Sequence, residues 1–421
     1  MKPLVTLALA ALLLAAPAAR AAMPPDIVLV LVDSLRADAL DCYGFRAAHP
    51  ASPRMDAVAA SGTLFLDAAS SAPWTQPSVM SLFTSADPAV HGRVLPSSHT
   101  STNVATLAET LRAAGYQTAA VTANPMTQAR YGYARGFDFY DDYTVQINAD
   151  NAAAAVGTDA VVTREARRIL ASRDPARPLF LFLLYMDVHW DYLPPPETLR
   201  LFTSDPVPAP GGVQYLDAKY VPPAVRRRVR DAYAGEVRHT DSHVGELLDA
   251  LAASPRAPET AVILCADHGD AFWEHGQTGH GKKFHPEETH VPLVMRVPSH
   301  TRPGGVVTGL VGLVDVAPTL AAAAGLPAPP SWSGRSLLPL LGGGRSEGRA
   351  IPQDNQIIGG HSRAVVTDRW RLVARPPFEA LSGLYDRLAD PAETNNLAAS
   401  PIPNEVKALM PLLRPQEGES P

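Results

Sequence analysis

The feature that most limits what this chain can fold into is a set of short, unbroken apolar runs, several of them closed by a polar residue. Ile27-Val-Leu-Val-Leu-Val32 is aliphatic throughout and stops at Asp33. A run without polar alternation fits a strand buried on both faces of a parallel sheet. Similar runs recur at 118–122, 179–185, 261–265 and 291–297. Between them lie helical patterns at 104–114, ended by Gly115, and at 224–252, which contains no proline. Strands alternating with helices predict an α/β protein whose large sheet carries helices on both faces.

Composition shifts past residue 326. Pro327, Pro329, Pro330 and the triplet Gly342-Gly343-Gly344 read as a linker, and 364–373 with Leu384-Tyr385 reads as a hairpin of a smaller C-terminal subdomain. At the other end, one lysine, a short Ala-rich apolar run and small residues at Ala19, Ala21 and Ala22 read as a secretory signal. The expected organisation is a signal over 1–22, a catalytic α/β domain over 23–326, and a linker with a small subdomain over 327–421. The expected location is the periplasm or the exterior, with no membrane anchor left after cleavage. Cys42 and Cys265 are the only cysteines, too few for a disulfide scaffold; whether they pair is open, and Cys265 at the end of an apolar run reads as a buried thiol. A net charge of −6 and the lack of a basic, aromatic-rich cluster argue against nucleic-acid binding.

In doubly wound sheets, chemistry collects at the carboxyl ends of the strands. Three runs end in candidate ligands there: Asp33, Asp187-Val-His189 and Asp267-His268. Adjacent carboxylates and an imidazole suit a divalent ion, although either dipeptide alone is an ordinary strand end. His189 and His280 sit among polar and glycine residues, where an imidazole can donate a proton to a leaving group or hold an oxyanion. Lys282 and Lys283 are candidates for steadying an anionic substrate, and His275, His285 and His290 in the same stretch are not ranked by spacing.

These pieces fall in an ordered series. Asp33-Ser-Leu-Arg-Ala-Asp38 with Cys42-Tyr-Gly44, Pro53-Arg-Met-Asp56, Ser81-Leu-Phe-Thr84, His91-Gly92, Arg135-Gly-Phe-Asp138 and Asp267-His-Gly-Asp270 with Glu274-His-Gly276 come first. Val291-Pro292, Asp315-Val-Ala-Pro-Thr319, Gly334-Arg-Ser336 and Leu384-Tyr-Asp-Arg-Leu-Ala-Asp-Pro-Ala-Glu393 follow. The series resembles the sulfatase family of the alkaline-phosphatase superfamily and spans nearly all of the chain after the signal. The resemblance implies a large mixed sheet with helices on both faces, a C-terminal subdomain with a small antiparallel sheet, and one divalent ion at the rim.

Sulfatases of this type convert the first residue of a Cys/Ser-x-Pro-x-Arg motif to formylglycine. In Ser71-Ala-Pro-Trp-Thr-Gln-Pro-Ser-Val-Met-Ser-Leu-Phe-Thr84 the frame set by Ser81-Leu-Phe-Thr84 puts Thr75 at that position and Val79 at the arginine. Thr75 cannot become formylglycine. Ser34 stands where a second aspartate is usual, and Ala123 and Pro125 stand where a Lys-x-His pair is usual. The remaining set, Asp33, Thr75, Asp267 and His268, resembles the ligands of threonine-dependent phosphotransferases and phosphodiesterases in the superfamily, including those acting on lipid headgroups.

The resemblance therefore implies a metal-dependent hydrolase or transferase of phosphate esters, diester or phosphonate, without formylglycine. Asp33, Asp267 and His268 would bind the ion, Thr75 would attack, and His189 and His280 would serve the leaving group or anionic oxygens. Asn124 and Lys283 would contact substrate, with a turn before Pro125 as the other account of Asn124. A His ligand and few oxygens suit Mn or Zn better than Ca. The substrate would be a small anionic ester, such as one built on a sugar or a lipid headgroup. The alternatives are a sulfuric ester hydrolase using the threonine directly and a catalytically silent binding protein.

Overall fold

The computed structural model describes residues 23–142, 158–206 and 217–414. The segment read as an export signal, 1–22, lies outside the described residues. No helix among those residues is long and apolar enough to cross a membrane.

The strands, in chain order, are β1 (Asp26–Val32), β2 (Thr63–Ala69), β3 (Gln117–Thr122), β4 (Phe139–Asp141), β5 (Leu179–Tyr185) and β6 (Thr260–Cys265). After a short hairpin of β7 (Ala271–Phe272) and β8 (Thr278–Gly279) come β9 (His290–Arg296), β10 (Gly305–Thr308), β11 (Val311–Gly312) and β12 (Gly344–Arg345). The last four are β13 (Ile351–Asn355), β14 (Ser362–Val366), β15 (Trp370–Ala374) and β16 (Leu381–Asp386). The large sheet has the order β12-β10-β2-β9-β6-β1-β5-β3-β4, with β11 also paired to β2. It is mixed because β9 runs antiparallel to both neighbours.

Every residue of β1 and β5 is buried, which is why these segments are apolar without alternation. Each such aliphatic side chain contributes roughly 2 kcal/mol by leaving water. One group of helices, Pro53–Ser61, Thr158–Ser172 and Pro223–Ala252, packs together, and Thr75–Thr84, Leu107–Ala113 and Val316–Ala323 form a second group.

Sheet register brings the site together. Leu31 of β1 lies beside Cys265 of β6, so Asp33 and Asp267, each two residues further on, emerge at the same height. Val32 lies beside Tyr185 of β5, and Leu184 beside Thr122 of β3, which places the 186–189 and 123–124 segments on the same rim.

The segment read as a linker belongs instead to the large domain. Trp332, Leu337 and Leu341 enter the main core, and β12 adds a strand beside β10. Proline and glycine there shape an edge segment, and the four-stranded antiparallel sheet β13-β14-β15-β16 begins only at Ile351. Its core of Val365, Trp370, Leu372 and Leu384 is closed by Val406 and Leu413. This small sheet is docked on the site loops: Asp354 N donates to Ser71 O at 3.1 Å, Gln353 Nε2 to Ser70 O at 2.8 Å, and Asn355 Nδ2 to Gly281 O at 3.0 Å. Cys42 and Cys265 are free thiols, and burial pushes both thiol pKa values well up.

Candidate active site

Asp33, Asp267 and His268 converge at the strand rim, each offering a ligand atom within 4.8 Å of the others, and all three are fully buried. His268 Nδ1 is 3.0 Å from Gly269 O, an acceptor only, so Nδ1 carries the proton and Nε2 faces the carboxylates. That Nε2 lies 3.7 Å from Asp33 Oδ1 and 3.4 Å from Asp267 Oδ2. Asp267 Oδ2 is buried with no hydrogen-bond partner.

Two carboxylates and an imidazole lone pair facing one another in a buried pocket require a positive charge among them. Burial and the neighbouring Asp33 push the Asp267 pKa up. Burial disfavours protonation of His268, but Asp267 and Asp33 outweigh it and raise its pKa. A divalent cation would supply that charge, and this donor set fits one.

Thr75 begins the helix Thr75–Thr84, which follows extended Trp74 and has no side-chain cap. The free N–H groups of its first turn and the positive end of its dipole lie beside the cluster. Thr75 Oγ1 is 3.2 Å from His268 Nε2. Asn124 ties the hydroxyl to the cluster, since its Nδ2 donates to Asp33 Oδ2 and lies 3.4 Å from Thr75 Oγ1. The turn role is present as well, because Asn124 Oδ1 accepts from Met126 N at 2.7 Å.

His280 and His189 are brought to this rim. The His280 ring centroid is 4.3 Å from that of His268 and 5.1 Å from that of His189. His280 Nδ1 is 2.6 Å from Asp270 Oδ1, and His189 Nδ1 is 2.8 Å from Trp190 O, so both rings hold the Nδ1 proton and leave Nε2 available. Burial first, then the charge of His268, pushes the His280 pKa down to about 4.

Three sequence candidates, Lys282, Lys283 and Asp187, lie elsewhere. Lys283 Nζ donates to His275 O at 2.9 Å and lines a separate cavity. Asp187 turns away from the rim to accept from the backbone N–H groups of Thr158 and Asp159 at a helix start. Sequence reasoning gave no site role to Asp270, Tyr192 or Ser78, and noted Ser34 only as a departure from the family pattern. Ser34, with φ of 59°, turns the chain so that its N–H donates to Asp267 Oδ1 at 3.2 Å, and Ser78 Oγ donates to Asp267 O at 2.6 Å. The only available signal for Asp270 was its place in Asp267-His-Gly-Asp270.

A buried Asp/Asp/His cluster at the rim of a large mixed sheet, with a hydroxyl at an adjoining helix start, is an arrangement of ester-cleaving enzymes that use a metal. The sulfatase family profile matches residues 25–326, and a profile described as N-sulphoglucosamine sulphohydrolase, C-terminal, matches 274–414. The chain belongs to the sulfatase family, within the alkaline-phosphatase superfamily.

Among curated relatives, iduronate 2-sulfatase of Mus musculus is 27% identical over 387 residues, covering 72% of this chain and 69% of that protein. Arylsulfatase K of Gallus gallus is 29% identical over 199 residues, covering 45% of this chain but 37% of that protein, so the match spans only about a third of its length. A solved structure in complex with its substrate D-glucosamine-2-N,6-O-disulfate superposes with a TM-score of 0.76 at 20% identity, covering 93% of this chain and 97% of the other. The phosphonate monoester hydrolase of Agrobacterium radiobacter superposes with a TM-score of 0.73 at 20% identity, covering 92% and 93%. These superpositions establish the shared fold.

Proposed function

We propose that this protein is a metal-dependent hydrolase of phosphate esters, diesters or phosphonates by preference, with Thr75 as nucleophile. The observation that carries this reading is the Thr75 hydroxyl at the start of its helix, 3.2 Å from His268 Nε2 and tied through Asn124 to Asp33. Asp33, Asp267 and His268 would hold the ion, with Thr75 as a further ligand, and the ion when bound lowers the hydroxyl pKa and stabilises charge on the transferred group. A His ligand with few oxygens suits Mn or Zn better than Ca.

Thr75 Oγ forms a bond to phosphorus as the bond to the leaving alcohol's oxygen breaks, and that oxygen takes a proton. Water then cleaves the phosphothreonine and restores the hydroxyl. His189 and His280, whose Nε2 atoms are not used by their Nδ1 bonds, would handle those protons or bind the anionic oxygens. Val79 and Ala123, both buried, stand where the family pattern has an arginine and a lysine. Fewer fixed cations suit a monoanionic diester or phosphonate ester better than a dianionic phosphate monoester. A covalent sulfothreonine has no exit comparable to that of a formylglycine hydrate, which sets sulfate esters second.

A sulfuric ester hydrolase using Thr75 directly is the second reading, favoured by the sulfatase names of the curated relatives. Export to the periplasm or exterior, through the segment 1–22, is part of the same proposal. The test compares matched aryl phosphate diester, phosphonate and sulfate substrates, with and without chelator, beside Thr75→Ala. Expected is chelator-sensitive diester or phosphonate turnover that falls at least about a thousandfold in Thr75→Ala. Sulfate turnover of equal kcat/KM would reverse the order of the two readings. Bound metal with no turnover of any ester would make the protein a silent binder and end both.

A further inference from the structure

At the seam between the large sheet and the small one lies a cavity of about 230 Å³. Lys282 and Lys283 enter it from the loop just after His280, and Arg371 and Arg375 enter it from β15 and its exit. His285 and Tyr385 complete the principal polar lining, and among the described residues no carboxylate lines the cavity. In a chain of net charge −6, four cations converging on one small space are not a by-product of composition.

Lys282 Nζ donates to the Thr278 carbonyl, and the partners of the other three cations leave positive charge over. Arg371 is offset from behind by Glu393, whose Oε1 is 2.7 Å from its Nε. The same Glu393 accepts from His285 Nδ1 at 3.0 Å, and burial lowers the His285 pKa. Lys283 Nζ donates to a carbonyl, that of His275, at 2.9 Å. The exposed guanidinium of Arg375 has neither a hydrogen bond nor an ion pair among the described residues. Such a concave, cation-rich lining selects a carboxylate, sulfate or phosphate group.

The cavity is joined to the reaction centre through its walls. Lys282 and Lys283 lie two and three residues after His280, and Gly281 between them is held by Asn355 of the small sheet. We propose that this cavity is a second anion-binding site, taking an anionic group that the substrate carries away from the ester being cleaved. The proposal rests on the ester-hydrolase reading and narrows its substrates to esters with at least two anionic groups.

Two measurements on the full chain test it. In the first, inorganic sulfate is titrated calorimetrically into the wild type, Asp267→Asn and the double variant Lys283→Gln/Arg375→Gln. Expected is a sulfate site that persists in Asp267→Asn and weakens about tenfold in the double variant. In the second, one aryl ester is compared with its analogue bearing a remote carboxylate. The ratio of their kcat/KM values should favour the carboxylate and drop about tenfold in Arg375→Gln.

Sulfate binding lost in Asp267→Asn yet unchanged in the double variant would overturn the site. Sulfate binding with no change in the substrate ratio would overturn its role toward substrate. Should no ester be turned over, the ester reading falls while the sulfate titration still decides the cavity.

Discussion

Asp270 holds two partners at once, accepting from His280 Nδ1 and from Tyr192 OH, each at 2.6 Å. Because an ionised carboxylate only accepts, it fixes the His280 tautomer and turns Nε2 into the lone-pair atom. Burial opposes ionisation of Asp270, but the hydrogen bonds from His280 and Tyr192, together with the neighbouring imidazoles, outweigh it and hold the carboxyl below its usual range. An amide at this position can present its N–H₂ to Nδ1 and release the tautomer. Asp270→Asn is therefore expected to lower kcat by about 10- to 100-fold with KM and metal content per chain unchanged. Loss of the metal together with activity would place Asp270 in the ion's own ligand set instead. Asp33 and Asp267 were legible because strand ends announce themselves in one dimension, and Thr75 because Ser81-Leu-Phe-Thr84 sets the frame of a family motif. The partners of the candidate His280, Asp270 and through it Tyr192, were not, since they sit 10 and 78 residues apart and meet only through loop conformation.

The helix that begins at Thr75 is pinned near its start by His91. Nε2 lies 3.2 Å from Pro77 O and 3.0 Å from Ser81 Oγ, while Nδ1 accepts from Arg93 N at 3.0 Å. Burial, with the Arg93 charge adding to it, pushes the His91 pKa down to about 3. The folded protein thus keeps His91 neutral where the unfolded chain, titrating near 6.5, binds a proton. Stability is expected to fall as pH drops from about 6.5 toward 3, by up to about 1.4 kcal/mol per pH unit from this group. His91→Gln should flatten that slope in urea titrations at pH 7, 6 and 5, and an unchanged slope would refute the assignment. The family-like stretch Arg135-Gly136 also has a packing explanation. Gly136 has φ of +89°, and a Cβ there would come within 2.2 Å of Glu109 N, while Arg135 pairs with Glu109 at 2.9 Å. The apolar runs gave strand positions to within a residue or two, because burial on both faces leaves so plain a mark. Segment 327–345 misled for the opposite reason, since prolines and glycines suit an edge segment packed on a domain as well as a tether between two.

Across the molecule, the small sheet is held to the large domain by a buried charge network as well as by backbone contacts. Glu393 is almost wholly buried and accepts from Arg371 and His285, while its carbonyl accepts from His275 Nε2 at 3.0 Å. His275 in turn pairs with Glu287 at 2.6 Å and stacks on His285 at 3.6 Å. Removing the carboxylate leaves a buried guanidinium unpaired, so Glu393→Ala is expected to cost about 3–5 kcal/mol in chemical denaturation. A loss under 1 kcal/mol would mean that the seam does not depend on this pair. One strand of the small sheet, through Asp354 and Asn355, grips both the Ser71 carbonyl ahead of Thr75 and the Gly281 carbonyl after His280. The Thr75 hydroxyl and the His280 imidazole, some two hundred positions apart along the chain, are thus fastened by a single clasp. A chain cut ahead of residue 351 would retain Asp33, Asp267 and His268 and lose that fastening, so the C-terminal part is not a detachable module for anyone grafting or trimming this enzyme.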